Sequence, residues 1–186
     1  MAIGTQNTNH LRIEGEEHIV SYVDYLSHFQ NYKTAQKIAV IGGGKVAADC
    51  ALVAHRQGAK FIQMLIRRNL EHMKMAESEK QKLISYGVEV VPLTRVIKIE
   101  KHSNAFLCYL SQTQLIDNRC IDNPDVPIRT EKYDLVIKAI GGKPLDAPKR
   151  PHLIYSGECK DGASTVVEAV ASGINAALNF NYIESH

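Results

Sequence analysis

The chain has 186 residues, 45% hydrophobic and 23% charged, with 12 glycines and a formal net charge of +2. That length suits one well-buried domain, or one domain with attached pieces of a neighbour, and the composition excludes a disordered or fibrous class. The small net charge lacks the concentrated basic face that nucleic acid requires, and no apolar run approaches the length of a membrane span, so neither is expected as a partner.

Cys50, Cys108, Cys120 and Cys159 are far apart, with no CxxC and no metal-ligand spacing among them or the eight histidines. They read as reduced thiols. The opening MAIGTQNTNH has neither the basic nor the apolar region of a signal peptide, so a cytoplasmic protein is expected.

In chain order, the first dozen residues are polar and are expected to be loose at their start. Ile19, Val20, Val23, Leu26 and Phe29 recur at helical spacing and predict a short amphipathic helix over 19–29, in a connecting segment spanning 1–35. Residues 37–41, KIAVI, are a β-rich apolar run, and GGGKVAADCALVAHRQG follows at once as a tight turn opening a helix that stops near Gly58. FIQMLI is a second buried strand ending in Arg67 and Arg68. Strand, glycine turn, helix and strand make a βαβ crossover. A helix over 76–86 and a third strand in GVEVVPL come next, then TRVIKIE and AFLCYL as an inserted antiparallel strand pair. The polar, proline-containing stretch from Asp117 to Arg129 reads as a loop, and YDLVIKAIGG as a buried strand running into the glycine turn at Gly141. KPLDAPKRP, with three prolines, is the expected boundary. Beyond it lie a strand in HLIYSG, a turn, and a helix over about 165–182.

The expected architecture is therefore α/β: a Rossmann-like, three-layer dinucleotide-binding domain over 36–142. Its parallel sheet carries helices on both faces, and the strand-helix tail of 143–186 lies outside that sheet.

Gly42, Gly44 and Ala47 satisfy G-x-G-x-x-G/A between a strand and a helix, the context in which the pattern has meaning. Gly42 permits the sharp turn, Gly44 lets the backbone approach a pyrophosphate, and Ala47 lets the helix pack closely on the strands. The pyrophosphate would sit at the helix N-terminus, where free N–H groups and the helix dipole favour negative charge. At the end of the second strand, a carboxylate would bind the ribose hydroxyls of NAD and repel the extra phosphate of NADP. This chain has Arg67 and Arg68 there, suited to gripping a 2′-phosphate with paired charge-assisted bonds, so NADP(H) is the expected cofactor. Which of the two faces the pocket stays open, because successive strand residues point to opposite faces. His72 and Lys74 are expected to be merely exposed, with added positive field at the same pocket as the alternative.

IGGGKVAADCALVAHRQGA, MLIRRN with MKMAESEKQKLISYGVEVVPL, YDLVIKAIGGKP and YSGECKDGASTVVEAVASGINAA resemble, in order, the NADPH-dependent glutamate synthase small subunit and its relatives. Those relatives include the FAD/NADPH module of dihydropyrimidine dehydrogenase. The resemblance covers most of the chain from Arg12 onward. It implies a flavoprotein that takes hydride from NADPH on FAD and passes electrons to iron–sulfur centres or partner subunits. It gives Gly42, Gly43, Gly44 and Ala47 to the pyrophosphate turn, with Lys45 beside them where the family commonly has Asn. Arg67 and Arg68 go to the NADP phosphate, and Gly141 joins the cofactor-binding set. Gly157, Glu158, Thr165 and Val166 would line the edge of the FAD site, with Glu158 standing where the family commonly has Asp.

The family also opens with a first glycine-rich βαβ unit and an iron–sulfur domain, which cannot be fitted into residues 1–36. FAD is therefore expected only with a missing N-terminal half or a partner. The chain reads either as an excised piece of a larger oxidoreductase or as a short protein that kept the NADP(H) domain and the end of the FAD domain. No Tyr-x-x-x-Lys pair, GxSxG elbow or GxxxxGK loop is present, and no catalytic residue is assigned. The expected function is an NADP(H)-binding domain that positions nicotinamide for hydride transfer to flavin, inactive alone. The alternative is a non-catalytic NADP(H)-binding or partner-docking remnant.

Overall fold

The run KIAVI is continuous rather than alternating because both of its faces are buried: Ile38 and Val40 enter one apolar cluster, Ala39 and Ile41 another. A computed structural model of the chain describes residues 6–73, 75–117, 119–144, 154–157 and 166–184. The expected sites Glu158 and Thr165, and the neighbouring Lys74, lie outside the described residues.

In chain order the elements are β1 (Gln6–Thr8), β2 (Val20–Ser21), α1 (Tyr22–Ser27), β3 (Lys37–Ile41), α2 (Lys45–Arg56), β4 (Phe61–Leu65), α3 (Glu77–Ser85) and β5 (Val88–Val91). They continue with β6 (Thr94–His102), β7 (Ala105–Ile116), β8 (Arg119–Asp122), β9 (Arg129–Tyr133), β10 (Leu135–Lys138), β11 (Gly142–Pro144) and α4 (Val166–Glu184). One compact unit is His10–Ile140; the other combines the chain on either side of it.

Within the first unit, five parallel strands run in the order β2-β10-β3-β4-β5. The chain winds outward from β3 through α2 to β4 and through α3 to β5, then returns to the other side of β3 as β10. The reversal between β3 and β10 is a topological switch point, where open α/β sheets bind their ligands. Helices cover one face: Ala47, Ala48, Cys50, Ala51 and Ala54 of α2, Leu83 of α3 and Tyr25 of α1 pack on Ile38, Val40, Ile62, Met64 and Ile137. The small residues along α2 let its axis lie close to the strands.

The other face departs from the expected pair of helical layers. It is covered by an antiparallel sheet in which β7 is central, flanked by β6 on one edge and by β9 and β8 in succession on the other. Val96, Ile99, Cys108, Leu110 and Tyr133 of that sheet pack on Ala39, Ile41, Leu65 and Val136. The layers are thus helix, parallel sheet, antiparallel sheet. β9 passes into β10 through Asp134, whose Oδ2 accepts the amides of Gln36 and Lys37, each at 2.8 Å, and so joins the two sheets at their shared corner.

Three local expectations are corrected. The helix over 19–29 begins only at Tyr22, because Val20 and Ser21 pair with Ile137 and Lys138 of β10 and Ser21 Oγ caps the helix by accepting Asp24 N at 3.1 Å. The stretch Asp117–Arg129 is not all loop: β8 within it pairs with residues 113–116 of β7. Residues 154–157 of HLIYSG form no strand.

In the second unit, β1 pairs antiparallel with β11, and the Asn9 amide extends the pairing to Gly141 O at 3.0 Å. Along α4, Val166, Val170, Ile174 and Leu178 are exposed. Among the described residues no helix is long and apolar enough to cross a membrane, and no group of side chains has the makings of a metal site.

Candidate functional site

Because all five strands of the large sheet are parallel, their C-terminal ends share one edge. The ladder runs past the strands there: Ala139 N donates to Ile41 O at 2.9 Å, Gly42 N to Leu65 O at 3.1 Å and Ile66 N to Val91 O at 2.9 Å. The expected site residues Gly42, Gly43, Gly44, Lys45, Ala47, Arg67 and Arg68 all stand at this edge, on the neighbouring ends of β3 and β4.

The three glycines differ in what they meet. Gly42 has φ +143°, and a Cβ there would lie 2.2 Å from Ala139 O and 3.4 Å from Ala47 Cβ, so the close approach of β10 and α2 demands glycine. A Cβ on Gly43 would lie 3.0 Å from Ile66 Cγ2. At Gly44 it would meet nothing within 4 Å, and the backbone, φ −105° and ψ 179°, is ordinary extended chain. Packing therefore explains Gly42, and leaves Gly44 facing open space. Gly44 is the N-cap of α2 and no side chain caps that end. The first-turn amides there supply N–H groups without intrahelical partners and the positive end of the helix dipole, the arrangement that receives an anion. Lys45 is exposed in that first turn, and Ala47 is fully buried beneath it.

After β4 the chain reads Ile66-Arg67-Arg68-Asn69, with Arg67 exposed and Arg68 half-buried. The backbone of this turn is tied to the antiparallel layer. Arg67 O accepts a hydrogen bond from Thr113 Oγ1 at 2.7 Å and another from Cys120 Sγ, and Arg68 O accepts one from Leu93 N at 3.2 Å. Neither guanidinium is ion-paired with a carboxylate among the described residues. His72 is exposed in a 3₁₀ turn over Leu70–His72.

Asp49 and Lys138 are ionisable groups near this edge. Asp49, one turn into α2, has its pKa raised by burial and by Glu79, against the opposing pull of Lys45. On the antiparallel side, Lys138 Nζ at the end of β10 lies 2.5 Å from Glu16 Oε1, with both side chains largely buried. Burial raises the Glu16 carboxyl, but Lys138 and the backbone amides of Leu11 and Arg12 outweigh it and hold the pKa at about 2. Burial pushes the Cys50 and Cys108 thiols up to about 12, so neither supplies a thiolate near neutral pH.

The remaining expected residues belong to the other compact unit. Gly141 has φ +77° in the turn before β11, Gly157 has φ +71° and donates its amide to Ser172 Oγ at 2.9 Å, and Val166 is exposed at the start of α4. The sequence assigns no site role to Thr113, Cys120, Leu93 or Ala139, since nothing local marks a residue that touches a turn tens of positions away.

Residues 1–156 match the sequence profile of a family described as pyridine nucleotide-disulphide oxidoreductase. The chain is 28% identical over 174 residues to the NADP(+)-dependent formate dehydrogenase subunit beta of Moorella thermoacetica, which covers 77% of this chain and 24% of that protein. It is 26% identical over 198 residues to the glutamate synthase (NADPH) small chain of Azospirillum brasilense, covering 85% of this chain and 40% of that one. This match bears out the resemblance carried by the four motifs, and the chain spans well under half the length of either relative. Among solved structures, Mycobacterium tuberculosis FprA in complex with NADPH superposes with a TM-score of 0.76 at 15% identity, covering 99% of this chain and 62% of that one. That likeness bears out the Rossmann-like fold.

Proposed function

The chain belongs to the pyridine nucleotide-disulphide oxidoreductase family, and from that premise we propose that it is the NADP(H)-binding module of an FAD-dependent oxidoreductase of the glutamate-synthase-small-chain kind, holding nicotinamide for hydride transfer to flavin. The observation that carries the reading is the sheet edge at which an uncapped helix N-terminus and an open Gly44 stand beside the arginine pair.

The residues present fit the nucleotide. The first-turn amides of α2 and the backbone of Gly43 and Gly44 would hold the pyrophosphate, since the Cβ position of Gly44 is empty for 4 Å around. Arg67 and Arg68 would hold the 2′-phosphate, with no carboxylate in residues 66–69 to favour NAD instead. NADPH, once bound, supplies the hydride; the protein binds and orients it. FAD fits less well: among the described residues one glycine turn opens a helix, and NADP(H) would occupy it. Flavin would therefore come with a further segment or a partner subunit, together with an iron–sulfur or other electron acceptor. The names of the relatives, a formate dehydrogenase subunit and a glutamate synthase small chain, support such an assembly.

The test is calorimetric titration of the wild type, Arg67→Ala and Arg68→Ala with NADPH and NADH. Wild type should prefer NADPH, and one or both substitutions should weaken NADPH by roughly ten- to a hundred-fold while NADH hardly changes, because charge-assisted hydrogen bonds are lost only with the phosphate-bearing ligand. The preference should shrink as salt rises. Equal wild-type affinities, or equal losses for both nucleotides, refute the reading.

A further inference from the structure

We propose that Thr113 and Cys120, on the antiparallel layer, are positioning residues for nucleotide selectivity, holding the Arg67–Arg68 turn in the form that distinguishes NADPH from NADH. The inference rests on the NADP(H) reading above.

The residues after the second strand of a βαβ unit are ordinarily a surface turn, free to sample several backbone conformations. In this chain the turn is bound from outside the parallel sheet. Thr113 of β7 and Cys120 of β8 both donate to the single carbonyl of Arg67, and they sit on strands that pair with each other, Thr113 with Asp122 and Leu115 with Cys120. Thr113 is 2% exposed, so its hydroxyl has no water to turn to and needs that acceptor.

The contacts close a circuit. Thr113 N donates to Leu93 O at 2.7 Å, and Leu93 N donates to Arg68 O at 3.2 Å, so Thr113 reaches Arg67 through its side chain and Arg68 through Leu93. Leu93 has φ +50°, which a bulky residue rarely adopts and which persists only where its surroundings over-determine it. Both of its peptide groups are engaged in this circuit.

Fixing the Arg67 carbonyl fixes the peptide plane between the two arginines, and with it the direction in which each side chain leaves the backbone. A turn freed of that constraint must be ordered when the phosphate binds, and the ordering cost weakens the complex. NADH lacks the 2′-phosphate, so it gains nothing from the ordered turn and loses nothing when the turn is loosened.

The experiment compares Thr113→Val with Thr113→Ser and Cys120→Ala with Cys120→Ser, by calorimetric titration with NADPH and NADH and by thermal melting. Thr113→Val should weaken NADPH about five-fold, the worth of one hydrogen bond, and NADH by less than about two-fold. Thr113→Ser, which keeps the hydroxyl, should restore the wild-type ratio of affinities. Cys120→Ala should lower the ratio in the same direction and Cys120→Ser should restore it; this half-buried position carries the test if Thr113→Val does not fold. In an Arg67→Ala, Arg68→Ala background neither substitution should alter NADPH binding further. Equal losses for both nucleotides, or an unchanged ratio in both Thr113→Val and Cys120→Ala, in a protein that still prefers NADPH, overturn the positioning role and leave the nucleotide site standing. A wild type with no preference overturns the site itself.

Discussion

Gly42 and Gly44 lie two residues apart in one motif, yet substituting alanine should damage different properties at each. At Gly42 the added Cβ would stand 2.2 Å from Ala139 O and 2.8 Å from Ala139 C, backbone atoms that cannot swing aside. A side chain at φ +143° adds strain of about 1–3 kcal/mol, and the overpacking adds about as much again. The sum, roughly 2–6 kcal/mol, is a large part of the 5–15 kcal/mol that typically separates folded from unfolded states. Gly44→Ala meets no atom within 4 Å and needs no unusual dihedral, so its effect on stability should stay within about 1 kcal/mol, the scale of an N-cap change. If the proposed nucleotide site is right, its methyl group would instead occupy the space of the bound pyrophosphate and should weaken NADPH and NADH alike, by about ten-fold, the equivalent of about 1.4 kcal/mol. Urea denaturation and nucleotide titration of both variants separate the two effects. The two glycines do not differ in this way if Gly44→Ala lowers the denaturation midpoint as far as Gly42→Ala does, or if it leaves both nucleotide affinities unchanged.

The buried Lys138–Glu16 pair should make stability depend on acid. The Glu16 carboxyl titrates at about 2 in the folded chain against 4.5 without its partners, so its contribution is fully present above about pH 5 and is lost as pH falls toward 2. That contribution is on the order of 3 kcal/mol, from the size of the shift. Glu16→Gln should remove this part of the pH dependence and, by leaving the Lys138 ammonium buried and unpaired, cost about 3–5 kcal/mol near neutral pH; denaturation midpoints measured between pH 2 and 7 check both. Cys50 and Cys108 should resist alkylation in the native protein at pH 8 and react on unfolding, because both are fully buried with thiols held protonated, whereas the half-buried Cys120 should react first of the three; peptide mapping after timed alkylation reads the order.

Much of the βαβ unit was legible because its signals are local. KIAVI and FIQMLI are short apolar runs between breakers, the glycines mark the turn by position, and the arginines follow directly on the strand that carries them. What the antiparallel layer covers was not legible. Val96 and Ile99 of β6, Cys108 and Leu110 of β7 and Tyr133 of β9 declare an apolar face, but that pattern does not say which surface it meets, and helices would have served as well. Val20 reads as helical by its spacing and joins a strand because Ile137, more than a hundred residues later, offers it a sheet edge. The short, polar β8 exists only through its pairing with β7.

The same division runs through the candidate site. Pattern alone assigned glycine, arginine and the strand ends, since a turn, a helix start and a charge are properties of adjacent residues. Folding decided that Gly42 answers to Ala139 while Gly44 answers to no protein atom, and that the Arg67 carbonyl is gripped by Thr113 and Cys120. Those assignments depend on distances between segments remote in sequence, set by how the whole chain buries its apolar faces, and periodicity within one segment carries no record of them.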